Sequence, residues 1–403
     1  MANDLTRRGL LRRGAALIGC SAAAHPFLST VTFASAPWDT RLVVMILRGG
    51  MDGLDVVRPV GDPAYGALRP GLLATPGLAL DGFYEMHPAL GPLMPLWQAG
   101  QLGFVHAVST PYRDKRSHFD GQDVLEAGTG LDVPVADQRD GWLNRMLQSV
   151  PGLSGETAFA IGRDEMRVLS GPAPVLNWSP AAALAVSPQS RLLLEQMYHA
   201  DPLFRDATLE AIELANLAVP DTATPRGAAL SQMMEQGGRN SIRALAGFAA
   251  ERLFNDTRIA AFSLGGWDTH RRQDITLRKS LGQLSDAILT LKAGLGPDWG
   301  KTVVIAMTEF GRTVHENGSQ GTDHGTGGAM VLAGGAVRGG RVLGQWPGLD
   351  EADLYDRRDL LPTGDVRDYA AWALRGAFGI DRAVLEGKVF PGLTLGADPG
   401  LLL

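Results

Sequence analysis

The 403-residue chain has one cysteine, Cys20. It sits near the N-terminus, so loss of a leader would leave no thiol, and with it no disulfide and no thiolate chemistry. Aromatics make up only 7% of residues. Positive charge is outnumbered: 37 Lys and Arg stand against 43 Asp and Glu, a net charge of −6. That balance argues against a nucleic-acid partner. Beyond the N-terminal segment no apolar run is long enough to span a bilayer. What is abundant is glycine, at 51 residues, with 45% hydrophobic content. Many tight turns and a sizeable core are expected. The length suits two domains or one large α/β domain.

Residues 1–36 read as a leader rather than as fold. Thr6-Arg7-Arg8-Gly9-Leu10-Leu11-Arg12 resembles the twin-arginine export motif, and a small-residue apolar stretch follows from Gly14 to Ala24. Cleavage is expected after Ala34 or Ala36, and Pro37 disfavours the second. Leu17-Ile18-Gly19-Cys20 resembles a lipoprotein box, so membrane anchoring follows only if Cys20 is lipidated. The segment carries four Arg and one Asp, which leaves −9 on the remainder. The partner this predicts is the twin-arginine translocase, and the destination is the periplasm or beyond. That route carries folded proteins, which suits a chain that takes up a metal first.

Arg41 to Leu47, RLVVMIL, is a short continuous apolar run and reads as a central buried strand. Further strands are expected at 102–109, 157–162, 258–266 and 329–337, and 302–312 reads as strand plus loop. Residues 62–85 show no clear period and read as a surface excursion. Two internal prolines suggest a kinked helix over 87–99. Ser117 is a natural N-cap and Gly128 a natural stop. Helices are also expected at 141–148, 276–294 and 365–378. Residues 163–186 look irregular, and 187–256 read as a helical insertion. The alternation gives an α/β fold with a mainly parallel sheet, in a single domain from 37 to 403.

Polar residues recur at the ends of these strands. They are Asp52, then Ser117 and His118, then Asp268 and His270, then Glu309, then Asp323 and His324. In open α/β sheets ligands bind at the carboxyl ends of strands. Carboxylates and imidazoles converging there make a site for Zn²⁺ or Mn²⁺. Asp268 and His270 are two apart in an extended segment, so they share a side. Asp-Gly after a strand is equally an ordinary turn signal.

The motifs GGMDGLD, RSHFDGQD, GGWDTH, TEFGRT and GTDHGTGG, in this order, resemble the twin-arginine-exported bacterial domain-of-unknown-function family of the alkaline phosphatase superfamily. The resemblance runs from about Arg41 to Gly379. It implies a three-layer αβα sandwich with two metals at the strand ends. Phosphatases, sulfatases, phosphonate hydrolases and phosphomutases belong to that superfamily. By the same resemblance Asp52 matches a metal Asp, and Ser117 the nucleophile. Asp268, His270 and His324 match the Asp and His residues of one metal site. The superfamily's strand-end Asp-His pair is Glu309-Phe310 here, so one imidazole is missing, and His118 is a candidate to replace it.

The function implied is an exported hydrolase of phosphate or sulfate esters, with one or two divalent metals and a small anionic ester as substrate. Arg48, Arg113, Arg116 and Arg312 lie beside the motifs and could clamp oxyanions. Each also reads singly as a solvated surface charge. Two alternatives stay open. Ser109-Thr110-Pro111-Tyr112-Arg113 fits the short C/S-x-P-x-R sulfatase pattern, which would make Ser109 a formylglycine precursor. Otherwise the chain keeps the fold as a non-catalytic binding or assembly protein.

Overall fold

Seven consecutive buried residues, Arg41–Leu47, form the strand β1. A strand covered on both faces needs no polar alternation. The structure, a computed structural model, describes residues 37–113, 115–130, 140–162, 166–178 and 242–403. There β1 lies in a nine-stranded sheet with β2 (Leu102–Ser109), β3 (Ala158–Ile161), β4 (Leu176–Trp178), β5 (Ile259–Leu264), β6 (Thr302–Met307), β7 (Gly328–Ala333), β8 (Val342–Leu343) and β9 (Gly364–Asp365). The order is β8-β2-β7-β6-β1-β5-β3-β4, and β9 also pairs with β2. β1 is parallel to β5 and β6, β3 to β4 and β5, and β2 to β8 and β9. Only β7 is reversed, antiparallel to both β2 and β6.

Among the described residues the main helices beside the sheet are α1 (His118–Ala127), α2 (Trp142–Gln148), α3 (Ile242–Phe254), α4 (Gln273–Leu295) and α5 (Val366–Phe378). Leu42, Val44 and Ile46 share one core with Trp142 and Met146 of α2 and with Ala370, Leu374 and Phe378 of α5. Val43, Met45 and Leu47 are as fully buried and point to the other face. On that face Phe248 of α3 meets Phe159 of β3 edge-on at 5.7 Å. α3 and α4 pack together there and reach β5. Helices thus cover both faces of a mainly parallel sheet, the three-layer α/β arrangement expected.

Capping fixes where helices begin and end. The Ser117 side chain accepts from the Asp120 N–H at the start of α1, and Gly128 closes it at φ +64°. Asp365 accepts from the Arg367 N–H at the start of α5. Residues 88–98 run as a 3-10 turn, Pro88–Leu93, and then a short α-helix, Met94–Gln98, as the prolines require.

Two expectations need correction. Residues 62–85 are not merely a surface excursion. Tyr65 and Arg69 there are buried, and Leu78–Ala79 and Glu85–Met86 join Val57–Arg58 in a second small sheet. Residues 163–186 were expected to be irregular, yet β4 lies among them. The leader, Cys20 and most of the helical insertion fall outside the described residues, and only α3 of the insertion lies within them. Among the described residues no helix is long and apolar enough to cross a membrane.

Candidate metal centre

The carboxyl ends of β1, β2, β5 and β6 lead into Arg48, Ser117-His118, Asp268-His270 and Glu309 respectively. Asp323 and His324 come before a strand, not after one. Because β7 runs antiparallel, its amino end lies at the same edge of the sheet. The turn after β1 passes tightly against the segment after β5. Gly49 has φ +123°, and a Cβ there would meet the Asp268 backbone nitrogen at 2.5 Å, so only glycine fits.

Three imidazoles face one carboxylate at this edge. His118 Nδ1 lies 2.8 Å from Glu309 Oε1. His324 Nδ1 lies 2.8 Å from the Arg116 carbonyl. His270 Nδ1 lies 3.1 Å from Asp323 Oδ1. A carbonyl or carboxylate oxygen accepts, so each Nδ1 is the donor of its contact, and each Nε2 is turned towards Asp268. His270 Nε2 and His324 Nε2 are 2.9 Å apart, and they lie 3.0 and 3.2 Å from Asp268 Oδ1. His118 Nε2 lies 3.5 Å from Asp268 Oδ2; it is buried and has no hydrogen-bond partner. One ligand atom from each of His118, Asp268 and His324 falls within 4.8 Å of the others. His118, Asp268 and His324 thus form a set that could hold a metal ion. The donors suit zinc or manganese, and histidines oriented through Nδ1 are the usual support of such ligands.

Buried charges hold this set. Arg312 donates to the carbonyls of Gly50, Thr322, Gly49 and Trp267, and Nη2 reaches Asp268 Oδ1 at 2.6 Å. It is therefore a buried brace and not a surface charge. Burial works to raise the Asp268 carboxyl, but the Arg312 hydrogen bond and charge hold it below the usual range. Burial likewise opposes ionised Glu309, and hydrogen bonds from His118, Gln122 and the Gly49 N–H outweigh it. The Glu309 hydrogen bond in turn raises His118, against its burial. Burial lowers His324. The Phe310 ring stacks against His118, 5.1 Å between centres.

Asp52 belongs to a different network. Its Oδ2 accepts from Arg69 at 2.6 Å, Gln273 at 2.6 Å and Thr322 at 3.5 Å, and Asp52 and Arg69 are both fully buried. Arg48 donates to Gln122 at 2.8 Å and pairs with Glu126 at 2.8 Å. Ser117 caps α1, with a long 3.4 Å bond to the Asp120 N–H. Ser109 is buried at the end of β2, 3.5 Å from Arg113 Nη1.

Sequence reasoning missed Gln122, Arg69, Gln273 and Arg358. Gln122 could have been found, since it lies four residues after His118 on one helix face. Arg358, whose Nη1 reaches the His324 carbonyl at 3.0 Å, lies in a loop without periodic signal.

No protein with a curated description matches the chain. The chain is similar to the lipoteichoic acid synthase LtaP from Listeria monocytogenes, with 10% identity over 94% of this chain and 81% of that one and a TM-score of 0.38. It is similar to the alkaline phosphatase of the Antarctic bacterium TAB5, with 12% identity, coverage of 73% and 92%, and a TM-score of 0.35. It is also similar to the C-terminal periplasmic domain of EcEptC from Escherichia coli, with 10% identity, coverage of 93% and 96%, and a TM-score of 0.37. Likenesses this remote carry no inference about activity. Residues 106–387, which hold every member of the imidazole cluster, match the family described as "Protein of unknown function (DUF1501)", and the chain belongs to that family.

Proposed function

We propose that the protein is an exported metal-dependent hydrolase of phosphate or sulfate esters. The observation that carries the reading is the convergence of His118, His270 and His324, through Nε2, on Asp268. His118, Asp268 and His324 would hold the ion, with His270 beside them. A divalent metal bound there supplies Lewis acidity that polarises an ester oxygen and favours an ionised nucleophile.

The chain's own residues do the rest. Glu309 fixes the tautomer and ring plane of His118, and the Arg116 carbonyl does so for His324. Arg312 keeps Asp268 ionised and in place. Ser117 is the nucleophile of this reading. Its 3.4 Å cap bond is at the long end of the hydrogen-bond range, which leaves the hydroxyl able to turn towards a substrate. It opens α1, where the helix dipole favours both alkoxide and anionic ester. Ser109 is the corresponding residue in the formylglycine alternative.

A second reading is favoured by one observation. Asp52 already has an internal cation in Arg69, which takes a carboxylate out of any two-metal set. A non-catalytic protein holding a single ion fits that pairing as well. The test is a screen of phosphate and sulfate monoesters with and without chelator, on wild type and on Ser117→Ala. The hydrolase reading expects chelator-sensitive turnover that Ser117→Ala abolishes while metal content stays unchanged. Turnover of no ester by the metal-loaded protein would leave the binding protein as the better account. Unchanged turnover in Ser117→Ala, with a mass loss at Ser109, would favour the formylglycine enzyme.

A further inference from the structure

Two arginines converge on a single buried carboxylate beside the cluster. Arg116 Nη2 lies 3.2 Å from Asp359 Oδ2, and Arg358 Nη1 lies 3.0 Å from Asp359 Oδ1. Asp359 is fully buried and also accepts from Thr326 at 2.9 Å. Two guanidinium groups share this one buried carboxylate, and Arg358 also acts on Asp323 through its charge. The other acid near Arg116, Asp356, is 3.9 Å away and 63% exposed, so solvent screens it.

Both arginines are also tied to His324. The Arg116 carbonyl accepts from His324 Nδ1, and Arg358 Nη1 donates to the His324 carbonyl. Arg116 holds this position at φ +50°, a conformation that costs a non-glycine residue. Its Nε–H is buried and has no acceptor. The two side chains keep 28% and 39% of their surface exposed, so N–H groups remain for a ligand. Arg312, by contrast, spends its donors on four carbonyls and Asp268.

We propose that Arg116 and Arg358 form the oxyanion clamp of the site, binding the tetrahedral anionic group of a phosphate or sulfate monoester beside His324. The proposal rests on the ester-hydrolase reading and assigns its anion-recognition residues. A guanidinium fork matches two oxygens of such a group, and the N–H groups not spent on Asp359 supply the contacts. Asp359 acts as the positioning residue that sets the spacing of the two forks.

The test is calorimetric titration of inorganic phosphate, and separately of inorganic sulfate, into the purified full-length protein loaded with Zn²⁺ or Mn²⁺. At least one anion should bind, and the tighter one names the ester class. Arg358→Gln and Arg116→Gln should each weaken it about tenfold or more, as expected for loss of a charge-assisted contact. Arg358→Lys keeps the charge without the fork and should fall between. Metal content and melting temperature should stay as in wild type. Failure of both anions to bind, or wild-type affinity in all three variants, overturns the clamp. Anion binding that follows this pattern in a protein that turns over no ester upholds the clamp and removes the hydrolase reading. Ester turnover with KM unchanged in the arginine variants does the reverse.

Discussion

His270 and His324 bring their Nε2 atoms to 2.9 Å from each other, although each ring already uses Nδ1 on a separate acceptor, Asp323 Oδ1 and the Arg116 carbonyl. At that distance the two Nε2 atoms share either a proton or a cation. The negative Asp268 lies beside both rings and favours positive charge there.

Glu309 touches no proposed substrate, yet it sets His118. Replacement of an outer-shell partner of a metal-bound histidine typically costs about 10–100-fold in metal affinity. Glu309→Gln should therefore weaken zinc binding by about that range while the protein stays folded. Competition with a chelator of known affinity measures it. Wild-type affinity in the variant would show that His118 does not serve as a ligand through Glu309.

Asp52 and Arg69 form a fully buried pair, and breaking such a pair leaves an uncompensated charge. Arg69→Ala should cost about 3–5 kcal/mol in urea unfolding. Asp52→Asn should also destabilise, yet keep the metal. Loss of metal in Asp52→Asn would return Asp52 to the ligand set that its position after β1 suggests.

His106 is neutral in the fold. Its Nε2–H donates to the Val57 carbonyl at 2.9 Å, and Nδ1 accepts the Ala107 N–H at 2.8 Å. Burial pushes its pKa down to about 4. His87, which accepts the Ala89 N–H at 3.0 Å, is likewise pushed down to about 4 by burial. The unfolded chain takes up these protons near pH 6.5, and the fold resists until about pH 4. Stability from these groups is full above about pH 6.5, falls as the pH drops towards 4, and levels off below. The loss is roughly 3 kcal/mol per histidine. Urea unfolding from pH 8 to pH 4 checks this, and His106→Asn should flatten the slope. An identical slope in the variant would mean that His106 takes up its proton as readily in the fold as in the unfolded chain.

Arg7 and Arg8 carry the export reading. Changing both to Lys should hold the protein in the cytoplasm, as fractionation would show. Normal recovery from the periplasm would remove the twin-arginine route.

Much of the fold was legible because its signals are local. The apolar runs 41–47 and 102–109 end where β1 and β2 end, since the chain meets Arg48-Gly49 and Thr110-Pro111 there. Ser117 with Gly128, and Asp365 with Phe378, bound their helices because capping is decided within a turn. The reversal of β7 was not legible. AMVLAG is apolar whichever way it runs, and direction is set by pairing with β2 and β6. Arg69 and Arg312 were unreadable for a related reason. A guanidinium is buried only when distant carbonyls and a carboxylate assemble around it, and Arg69 draws these from Val314, Thr313 and Asp52. The list of strand-end residues was thus readable, and the division of labour among them was not.

The most direct test of the metal centre is elemental analysis of the purified wild-type protein beside His118→Ala and His324→Ala. The account predicts about one zinc or manganese ion per chain in wild type, and loss of most of it in both variants while the fold is kept. Wild-type protein without transition metal after purification in metal-replete medium, or variants that retain the full complement, would contradict it.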